Sequence, residues 1–346
     1  MKRQAKLAKN IGALFLFSLL ITSTNSWADF QYVGNKESFS ALTSELKRLG
    51  ELSRGVMGVS VIHLETDVRV DIRGEQLFPM ASTYKVPTAV TLLKQVDQSK
   101  RNLTDMVEVE EFDMVPSDGI TARFTHPGIA LSLHNLLESM LTVSDNTATD
   151  VLMEEVGGPA QITATISKLG VSDIQVSRNT ARLIRDYFDM QQPPAGEERS
   201  LVKEFNAMSA EEASALDSYR SETFVDDSRD TATPNSMANL LKTIWQGKAL
   251  SPGSTELLKD IMRRCETGNK RLKGLLPAGT EVAHKTGTIG GTSNDVGVIT
   301  LPDNKGHLVA AVYIKKSVSN DFDERDRAIA EVARAVHDYF VFNIVK

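Results

Sequence analysis

The chain has 346 residues, of which 41% are hydrophobic and 24% charged; this is typical of a folded globular protein and excludes a disordered or fibrous one. Its formal charge is −6, and because residues 1–28 carry four basic residues and no acidic one, the remainder carries −10, which argues against nucleic-acid binding. The single cysteine, Cys265, excludes an internal disulfide and a cysteine-rich zinc site.

Residues 1–28 predict a secretory signal peptide. A basic start is followed by the apolar run 11–22 and then by Ser26-Trp27-Ala28, a small-x-small cleavage pattern. The apolar run is too short for a comfortable membrane span. We therefore expect cleavage after Ala28 and a soluble, exported protein, which in a Gram-negative cell is periplasmic. The alternative is an uncleaved N-terminal anchor.

Beyond residue 28, strand patterns lie towards both ends of the chain and helical patterns lie between them. Apolar spacing predicts helices at 37–52, from 81 to about 96, over most of 130–265 and at 323–345. Runs rich in β-formers predict strands at 57–64, 68–72, 281–288, 295–301 and 307–315. The economical arrangement is one antiparallel sheet built from both ends of the chain, covered by the terminal helices, with the central helices packed beside it. The polar, proline-containing segment 191–199 predicts a loop.

The motifs of several other enzyme classes are missing from the sequence. There is no G-x-S-x-G nucleophile elbow, no H-E-x-x-H zinc motif and no phosphate-binding glycine loop. The six histidines are scattered along the chain. We therefore expect neither a metal nor another cofactor.

A Ser-x-x-Lys pair occurs three times, as Ser44/Lys47, Ser82/Lys85 and Ser200/Lys203. This spacing puts a hydroxyl and an amine on one helix face, and the amine can take the serine proton if burial or nearby cations lower its pKa. Ser44 and Ser200 lie in polar, charged surroundings that are typical of surface residues. Ser82 follows the apolar run 78–81 and is therefore the candidate nucleophile.

Two further triplets each occur once, Ser144-Asp145-Asn146 in the helical region and Lys285-Thr286-Gly287 on a predicted strand. Together with Ser82/Lys85, and in this order, they would bring a nucleophile, a proton-relay hydroxyl and a cationic strand edge to one cleft. The set resembles the signature of class A serine β-lactamases and penicillin-binding proteins.

The resemblance extends over essentially the whole mature chain, through the segments 157–159, 229–234 and 284–288. It implies the α/β serine β-lactamase/penicillin-binding (transpeptidase-like) fold, with an antiparallel five-stranded sheet flanked by helices and an all-helical lobe. Residues 29–346 would form a single catalytic domain. Its α/β lobe would comprise 29–80 and 270–346, and its helical lobe about 81–269.

The resemblance also implies roles for individual residues. Ser82 would be acylated, Lys85 would accept its proton, and Ser144 would relay a proton to the leaving nitrogen. The backbone N–H groups of Ser82 and Thr288 would form the oxyanion hole. The substrate-binding residues would be Asn146 for the substrate amide, Lys285 and Thr286 for the substrate carboxylate, and Gly287 and Thr288 on the same strand.

The sequence departs from the family pattern at the glutamate that serves deacylation. Counting forward from the segment 157–159 makes Arg178 the arginine that precedes this glutamate and puts the glutamate position at Thr180, whereas counting back from Asp230 puts it at Asp217. The two counts differ because of an insertion at about 179–215. Asp217 or Glu222 would be the replacement base if the loop folds back correctly; the alternative is that both are solvated loop acids.

The same comparison with the family pattern implies roles for two arginines. Arg178 is expected to pair with Asp230 across the base of the insertion. Arg271 precedes the strand of Lys285 and would make a second contact with the substrate carboxylate, with a plain surface arginine as the alternative.

The expected function is β-lactam hydrolysis through a serine acyl-enzyme, with weakened deacylation. The first alternative is a D-alanyl-D-alanine peptidase-like enzyme or another serine amide or ester hydrolase. The second is a β-lactam-binding pseudo-enzyme that acylates and stalls. The expected partner is a small β-lactam or peptidoglycan-like molecule, and the expected state is a monomer with no membrane span after signal cleavage.

Overall fold

The computed structural model describes residues 30–124, 128–194, 200–221, 223–319 and 321–346, and for Thr121, Asp217 and Ser218 it describes the backbone alone. The predicted signal peptide, Glu222 and part of the predicted loop 191–199 lie outside the described residues. Within the described ranges, no helix is both long and apolar enough to cross a membrane.

The strands in chain order are β1 (Gln31–Tyr32), β2 (Val56–His63), β3 (Arg69–Ile72), β4 (Phe78–Pro79), β5 (Met106–Val109), β6 (Ile129–Ser132), β7 (Ile174–Gln175), β8 (Thr231–Ala232), β9 (Val282–Ile289), β10 (Thr292–Thr300), β11 (His307–Lys315) and β12 (Ile344–Val345). The helices are α1 (Lys36–Glu51), α2 (Lys85–Asp97), α3 (Ile120–Arg123), α4 (Leu133–Thr142), α5 (Asn146–Glu155), α6 (Gly158–Lys168), α7 (Thr180–Tyr187), α8 (Leu201–Asn206), α9 (Ala210–Ser218), α10 (Pro234–Trp245), α11 (Pro252–Arg263) and α12 (Phe322–Asn343). Short 3₁₀ turns cover Ala81–Tyr84, Glu111–Asp113 and Phe224–Asp226.

A five-stranded antiparallel sheet has the order β3-β2-β11-β10-β9. The N-terminal and C-terminal parts of the chain meet where β2 pairs with β11. The predicted sheet built from both ends of the chain is therefore confirmed. Strand β10 begins at Thr292, earlier than the predicted Asp295, because Thr292 pairs with Ile289 across a tight turn.

The two faces of the sheet belong to two hydrophobic cores. On β11, Val309, Ala311 and Tyr313 face the core shared with the central helices, whereas the alternate residues Leu308, Ala310, Val312 and Ile314 face the core under α1 and α12. This alternation is the period of two that a strand imposes, and burial on both faces explains why β11 lacks charged residues between its two ends.

The terminal helices cover one face of the sheet. On α12 the predicted apolar face, which includes Ile329, Val332, Val336 and Phe340, is buried as expected. The start of α1 is capped by the side chain of Asn35, which accepts a hydrogen bond from the Ser38 N–H at 2.8 Å.

A small sheet in the order β4-β8-β7 lies immediately before the candidate nucleophile. Strand β7 precedes Arg178 and strand β8 follows Asp230, so the two segments that flank the insertion pair with each other, and β8 also pairs with β4. The Met80 N–H also donates to the Asp230 carbonyl at 2.9 Å. The two segments that flank the insertion are therefore held next to the turn that carries Ser82.

Candidate active site

Ser82 lies in the 3₁₀ turn 81–84 that leads into α2, and it is partly exposed to solvent. The preceding Ala81 has a φ of +44°, a left-handed conformation that is costly for a residue with a Cβ. A residue of the central sheet holds this turn in place. The Asn294 side-chain amide on β10 donates to the carbonyls of Pro79 and Met80 at 2.9 Å each. The strain is therefore supported by neighbouring structure at the point where the nucleophile is presented.

Lys85 is completely buried at the start of α2. Its Nζ donates to the Ser144 carbonyl at 2.7 Å, to Ser144 Oγ at 3.2 Å and to Asn146 Oδ1 at 2.9 Å. Burial, and then the charge of Lys285, lowers the pKa of Lys85 well below its usual range. A lysine in this setting reaches the neutral form that a proton acceptor for Ser82 needs.

Ser144 sits in a turn that a buried carboxylate holds in place. Asp145 Oδ1 accepts a hydrogen bond from the Ala148 N–H at 2.8 Å and so caps α5, while its Oδ2 accepts from Ser139 Oγ at 3.1 Å and from the Ile120 N–H. Ser144 itself has a φ of +59°. Asp145 thus fixes the positions of Ser144 before it and Asn146 after it.

The Ser144 hydroxyl lies between the two lysines of the site. Lys285 Nζ donates to Ser144 Oγ at 2.9 Å and to the Thr286 carbonyl at 2.9 Å, and Lys85 donates to the same Oγ from the other side. A charged Lys285 only donates to Ser144 Oγ, whereas Lys85 in its neutral form can also accept a hydrogen bond from it, so the hydroxyl lies between a donor and a proton acceptor. The predicted grouping of Lys85, Ser144 and Lys285 is present in the structure.

Lys285 is also buried, on β9. Burial lowers the pKa of Lys285 to about 8, with Cys265 and Asp295 opposing that shift and Arg271 adding to it. Burial raises the pKa of Cys265, but the charges of His284 and Lys285 and a hydrogen bond with Thr267 outweigh it and lower that pKa to about 6. The cysteine therefore has an electrostatic effect on the site that the sequence alone did not suggest.

Strand β9 packs directly against the nucleophile turn at Gly287. A Cβ added there would lie 2.6 Å from the Met80 carbonyl oxygen and 3.0 Å from the Ser82 nitrogen. Glycine is required because any side chain would push the strand away from the turn. The next residue, Thr288, lines the same cleft as Ser82.

The cleft at Ser82 has a volume of about 170 Å³. Asn146, Thr180 and Thr288 contribute polar side chains to its wall. The insertion contributes a group of apolar side chains that was not predicted: Leu183, Ile184, Phe188 and Phe205. Such a wall favours substrates with an apolar substituent on this side.

The remaining predicted substrate-binding residues lie around β9. Thr286 is buried and its hydroxyl lies 2.6 Å from that of Thr267. Arg271 is buried and holds several groups together: its guanidinium donates to the carbonyls of Gly287 and Asn294, to Thr288 Oγ1 at 2.7 Å and to Asp326 at 2.7 Å. It is therefore not a plain surface arginine.

The expected pair at the base of the insertion is confirmed. Arg178 Nε donates to Asp230 Oδ2 at 2.6 Å, and both side chains are buried. Asp230 Oδ1 also accepts from the backbone N–H of Ser177 at 2.7 Å and of Arg178 at 3.1 Å. Asp186 and Asp227 lie on the outer side of the same guanidinium.

Thr180 and Asp217, the two positions that the counts give for the missing glutamate, lie in different helices. Thr180 is the first residue of α7 and lines the cleft, and its Oγ1 lies 2.6 Å from the Tyr84 hydroxyl oxygen. The backbone of Asp217 lies in α9, its side chain is outside the described part of the chain, and so is all of Glu222. Sequence reasoning missed Asp150, whose carboxylate accepts from the Thr180 N–H at 2.6 Å.

The two other Ser-x-x-Lys pairs are surface features, as predicted. Ser44 and Lys47 are exposed on α1. Ser200 caps α8 by accepting from the Lys203 N–H, while the Lys203 side chain pairs with Glu111 at 2.8 Å.

Known proteins match this chain over most of its length. The profile of the beta-lactamase enzyme family matches residues 41–340. The extended-spectrum beta-lactamase PER-1 of Pseudomonas aeruginosa is 32% identical over 270 residues, which cover 76% of this chain and 75% of PER-1. The beta-lactamase OXY-1 of Klebsiella oxytoca is 30% identical over 319 residues, which cover 92% of each chain.

A solved structure matches as well. The class A beta-lactamase of the last common ancestor of Gram-negative bacteria superposes with a TM-score of 0.71 at 34% identity, covering 87% of this chain and 99% of that one. The predicted fold and the resemblance to class A serine enzymes are therefore confirmed.

Proposed function

The chain belongs to the beta-lactamase enzyme family, and we propose on this premise that it opens β-lactams through an acyl-enzyme on Ser82, with deacylation as the slow step. The observation that carries the proposal is the arrangement of Lys85 and Lys285 around Ser144 Oγ, next to the strained turn of Ser82. This arrangement supports Ser144 as the group that protonates the leaving nitrogen, with Lys85 3.2 Å behind it.

In acylation, Ser82 Oγ attacks the lactam carbonyl carbon as its proton passes to neutral Lys85. The N–H groups of Ser82 and Thr288 stabilise the oxyanion that forms on the carbonyl oxygen. When the carbon–nitrogen bond breaks, the Ser144 hydroxyl protonates the departing nitrogen. Ser144 recovers its proton from Lys85, which lies 3.2 Å away.

Substrate positioning is assigned to the residues around β9. Lys285 and Thr286 would bind the substrate carboxylate, and Asn146 would bind its amide. Arg271 donates to Thr288 Oγ1 at 2.7 Å, which supports a role in holding the carboxylate-binding strand or in a second contact with the carboxylate.

Weak deacylation is proposed because no glutamate occupies either expected register. A threonine hydroxyl does not act as a base near neutral pH, and an aspartate reaches less far than a glutamate. Asp217 is kept as the candidate direct base, with Glu222 as its alternative. If there is no base at all, the protein is a β-lactam-binding pseudo-enzyme that acylates and stalls. Thr180 at one of the two expected positions favours this as the second candidate function.

We further propose that the protein acts as a monomer in the periplasm after cleavage at Ala28, on a β-lactam or a peptidoglycan-like small molecule. A D-alanyl-D-alanine peptidase-like activity would use the same acylation machinery. The two activities differ in their preferred substrate, because a peptidase-like enzyme would turn over a D-alanyl-D-alanine peptide faster than a penicillin.

Covalent labelling with a fluorescent penicillin tests the proposal. We expect labelling of the unmodified protein and of Ser44→Ala and Ser200→Ala, because those serines lie on the surface. We expect none in Ser82→Ala. Labelling that persists in Ser82→Ala would contradict the assignment of the nucleophile.

A further inference from the structure

The insertion places the short helix α8 beside the cleft of Ser82. Phe205 on α8 lines this cleft together with Phe188, the residue that follows α7. The two ring centroids lie 6.1 Å apart with 70° between the ring planes, an edge-to-face arrangement that aromatic pairs favour. Both side chains are only partly buried, so they keep apolar surface for a further group in the cleft.

The apolar wall that ends at these two rings begins beside the nucleophile turn. Thr180, the first residue of α7, has its Oγ1 2.6 Å from the Tyr84 hydroxyl oxygen. Ile184 and Phe188 follow Thr180 at intervals of four residues, and all three line the cleft. Phe188 therefore lies about 12 Å further along the helix axis, at a rise of about 1.5 Å per residue. The wall thus leads away from the reacting centre, where a substituent of the substrate would extend.

An ion pair behind the wall fixes α8 on α7. Arg185 follows Ile184, and its side chain is 2% exposed. The Arg185 guanidinium donates two hydrogen bonds to the Glu204 carboxylate, from Nη1 to Oε2 and from Nη2 to Oε1, the second at 3.0 Å. Glu204 directly precedes Phe205 on α8. Because a helix of six residues is not stable on its own, this pair and the buried Leu201 decide where the Phe205 ring lies.

The same cleft contains Asn146, to which the proposed function assigns the substrate amide. Thr288 and Ile289, at the end of β9, line it as well, so a substituent on the amide would lie between β9 and the wall. The cleft volume of about 170 Å³ has room for an aromatic ring, since a cavity of about 150 Å³ holds benzene. None of the described side chains that line the cleft is charged, which favours an uncharged substituent.

We infer that Phe205 is a specificity-determining residue that binds an aromatic acyl group on the substrate amide, and that Glu204 and Arg185 position it. The inference rests on the proposed function, since it needs a β-lactam that acylates Ser82. Phe205 contacts the acyl group, whereas Glu204 and Arg185 act through Phe205. The substrate class is a β-lactam that carries an arylacetyl or similar uncharged aromatic side chain.

A purely structural role for α8 is the competing explanation, because α8 is also bound to α7, and α7 lines the cleft. If α8 only supports α7, its disruption should slow acylation by all β-lactams to the same extent. If Phe205 binds the acyl group, the disruption should slow acylation only by substrates that carry the aromatic group. The ratio of the two rate constants therefore separates the explanations.

The test compares two penicillins that differ only in the acyl group, benzylpenicillin with its phenylacetyl group and the acetyl analogue. The measured quantity is the second-order rate constant of adduct formation, by intact-protein mass spectrometry after rapid quenching. We expect the unmodified protein to prefer the phenylacetyl compound. Phe205→Ala should reduce this preference by about 3–10-fold, the contribution of one aromatic contact, with the acetyl constant nearly unchanged. Phe205→Leu, which keeps apolar surface without a ring, should give an intermediate preference.

Glu204→Gln tests the positioning role. It weakens the pair with Arg185 and should reduce the preference in the same direction as Phe205→Ala. Because Glu204 acts through Phe205, the double variant Glu204→Gln/Phe205→Ala should show no larger loss than Phe205→Ala alone. Lys203→Gln is the matched control, since it breaks an exposed pair with Glu111 on the same helix and should leave both constants unchanged.

The outcomes distinguish this inference from the proposed function. An unchanged preference in Phe205→Ala would overturn the inference, as would an equal loss with both penicillins. A preference that rises would also overturn it, because the ring would then block the substituent instead of binding it. Additive losses in the double variant would overturn the positioning role of Glu204. Failure of the unmodified protein to form an adduct with either penicillin would contradict the proposed function, and the inference with it.

Discussion

Lys85 and Lys285 face each other across Ser144 Oγ, at 3.2 and 2.9 Å from that oxygen. After burial, the charge of Lys285 is the largest cause of the lowered pKa of Lys85. One lysine is thus helped to stay neutral by the other, which remains charged up to a pH of about 8. In the proposed mechanism the pair divides the roles of proton acceptor and anion-binding cation between two identical side chains.

The first prediction concerns the pH dependence of acylation. Lys85 must be neutral, so the acylation rate constant should rise with pH through its lowered pKa. Lys285 must be charged to bind the carboxylate, so the constant should fall again above about pH 8. Lys285→Arg should lose the alkaline fall because a guanidinium stays charged. Stopped-flow acylation by a penicillin from pH 5 to pH 10 measures both limbs, and an unchanged alkaline limb in Lys285→Arg would refute the assignment.

The second prediction concerns Cys265. Cys265, when ionised, raises the pKa of Lys285 against the effect of burial. Removing the thiol in Cys265→Ala should therefore move the alkaline limb of the acylation profile to lower pH, while the rate near pH 7 changes less. A limb that stays in place would mean that Cys265 is only a buried small side chain.

The third prediction concerns the contact between β9 and the nucleophile turn. Gly287→Ala puts a methyl group 2.6 Å from a backbone carbonyl, which can be relieved only by moving the strand away from Ser82. We expect acylation to fall by about 10²–10³-fold, the effect of losing an oxyanion-hole donor. Gly253→Ala is the matched control, since its Cβ would meet open space. Comparable activity of the two variants, by nitrocefin turnover, would show that the close contact is dispensable.

The fourth prediction concerns stability at the base of the insertion. Asp230→Asn removes the most buried of the three carboxylates on Arg178 and leaves the guanidinium with Asp186 and Asp227. This should cost up to about 3–5 kcal/mol in the free energy of unfolding, the range for breaking a buried ion pair. Glu45→Gln, which breaks the exposed pair with Arg48, should leave the unfolding midpoint almost unchanged. Urea denaturation of both variants gives the comparison. A small loss in Asp230→Asn would indicate that the β4-β8-β7 pairing alone holds the insertion.

Much of the fold is predictable because long elements carry their own periodicity. Strand β11 runs over His307–Lys315, the predicted range, and the apolar face of α12 is the predicted one. The two-residue strands β4, β7 and β8 carry no such signal, since their pairing is decided by contacts far away in the sequence. The 3₁₀ turn at Ser82 and the left-handed Ala81 are likewise set by the surrounding structure.

The residues of the site also fall into those that the sequence predicts and those that it does not. Ser82, Ser144 and Lys285 could be predicted because each lies in a short motif, and Arg178 with Asp230 because both flank the insertion. Asp150 could not, because thirty residues separate it from Thr180 and only the folded chain brings them together. The same holds for Phe188 and Phe205 in the cleft wall and for the effect of Cys265 on Lys285.

The central claim is that Ser82 forms a penicilloyl ester that is made faster than it is hydrolysed. Intact-protein mass spectrometry of the unmodified protein, quenched at intervals after mixing with a penicillin and followed by peptide mapping, tests it most directly. We predict an adduct of the full mass of the penicillin on the peptide that contains Ser82, accumulating early and then returning slowly to the free protein. Hydrolysis of the penicillin with no adduct at any time, or an adduct on another peptide, would contradict the account.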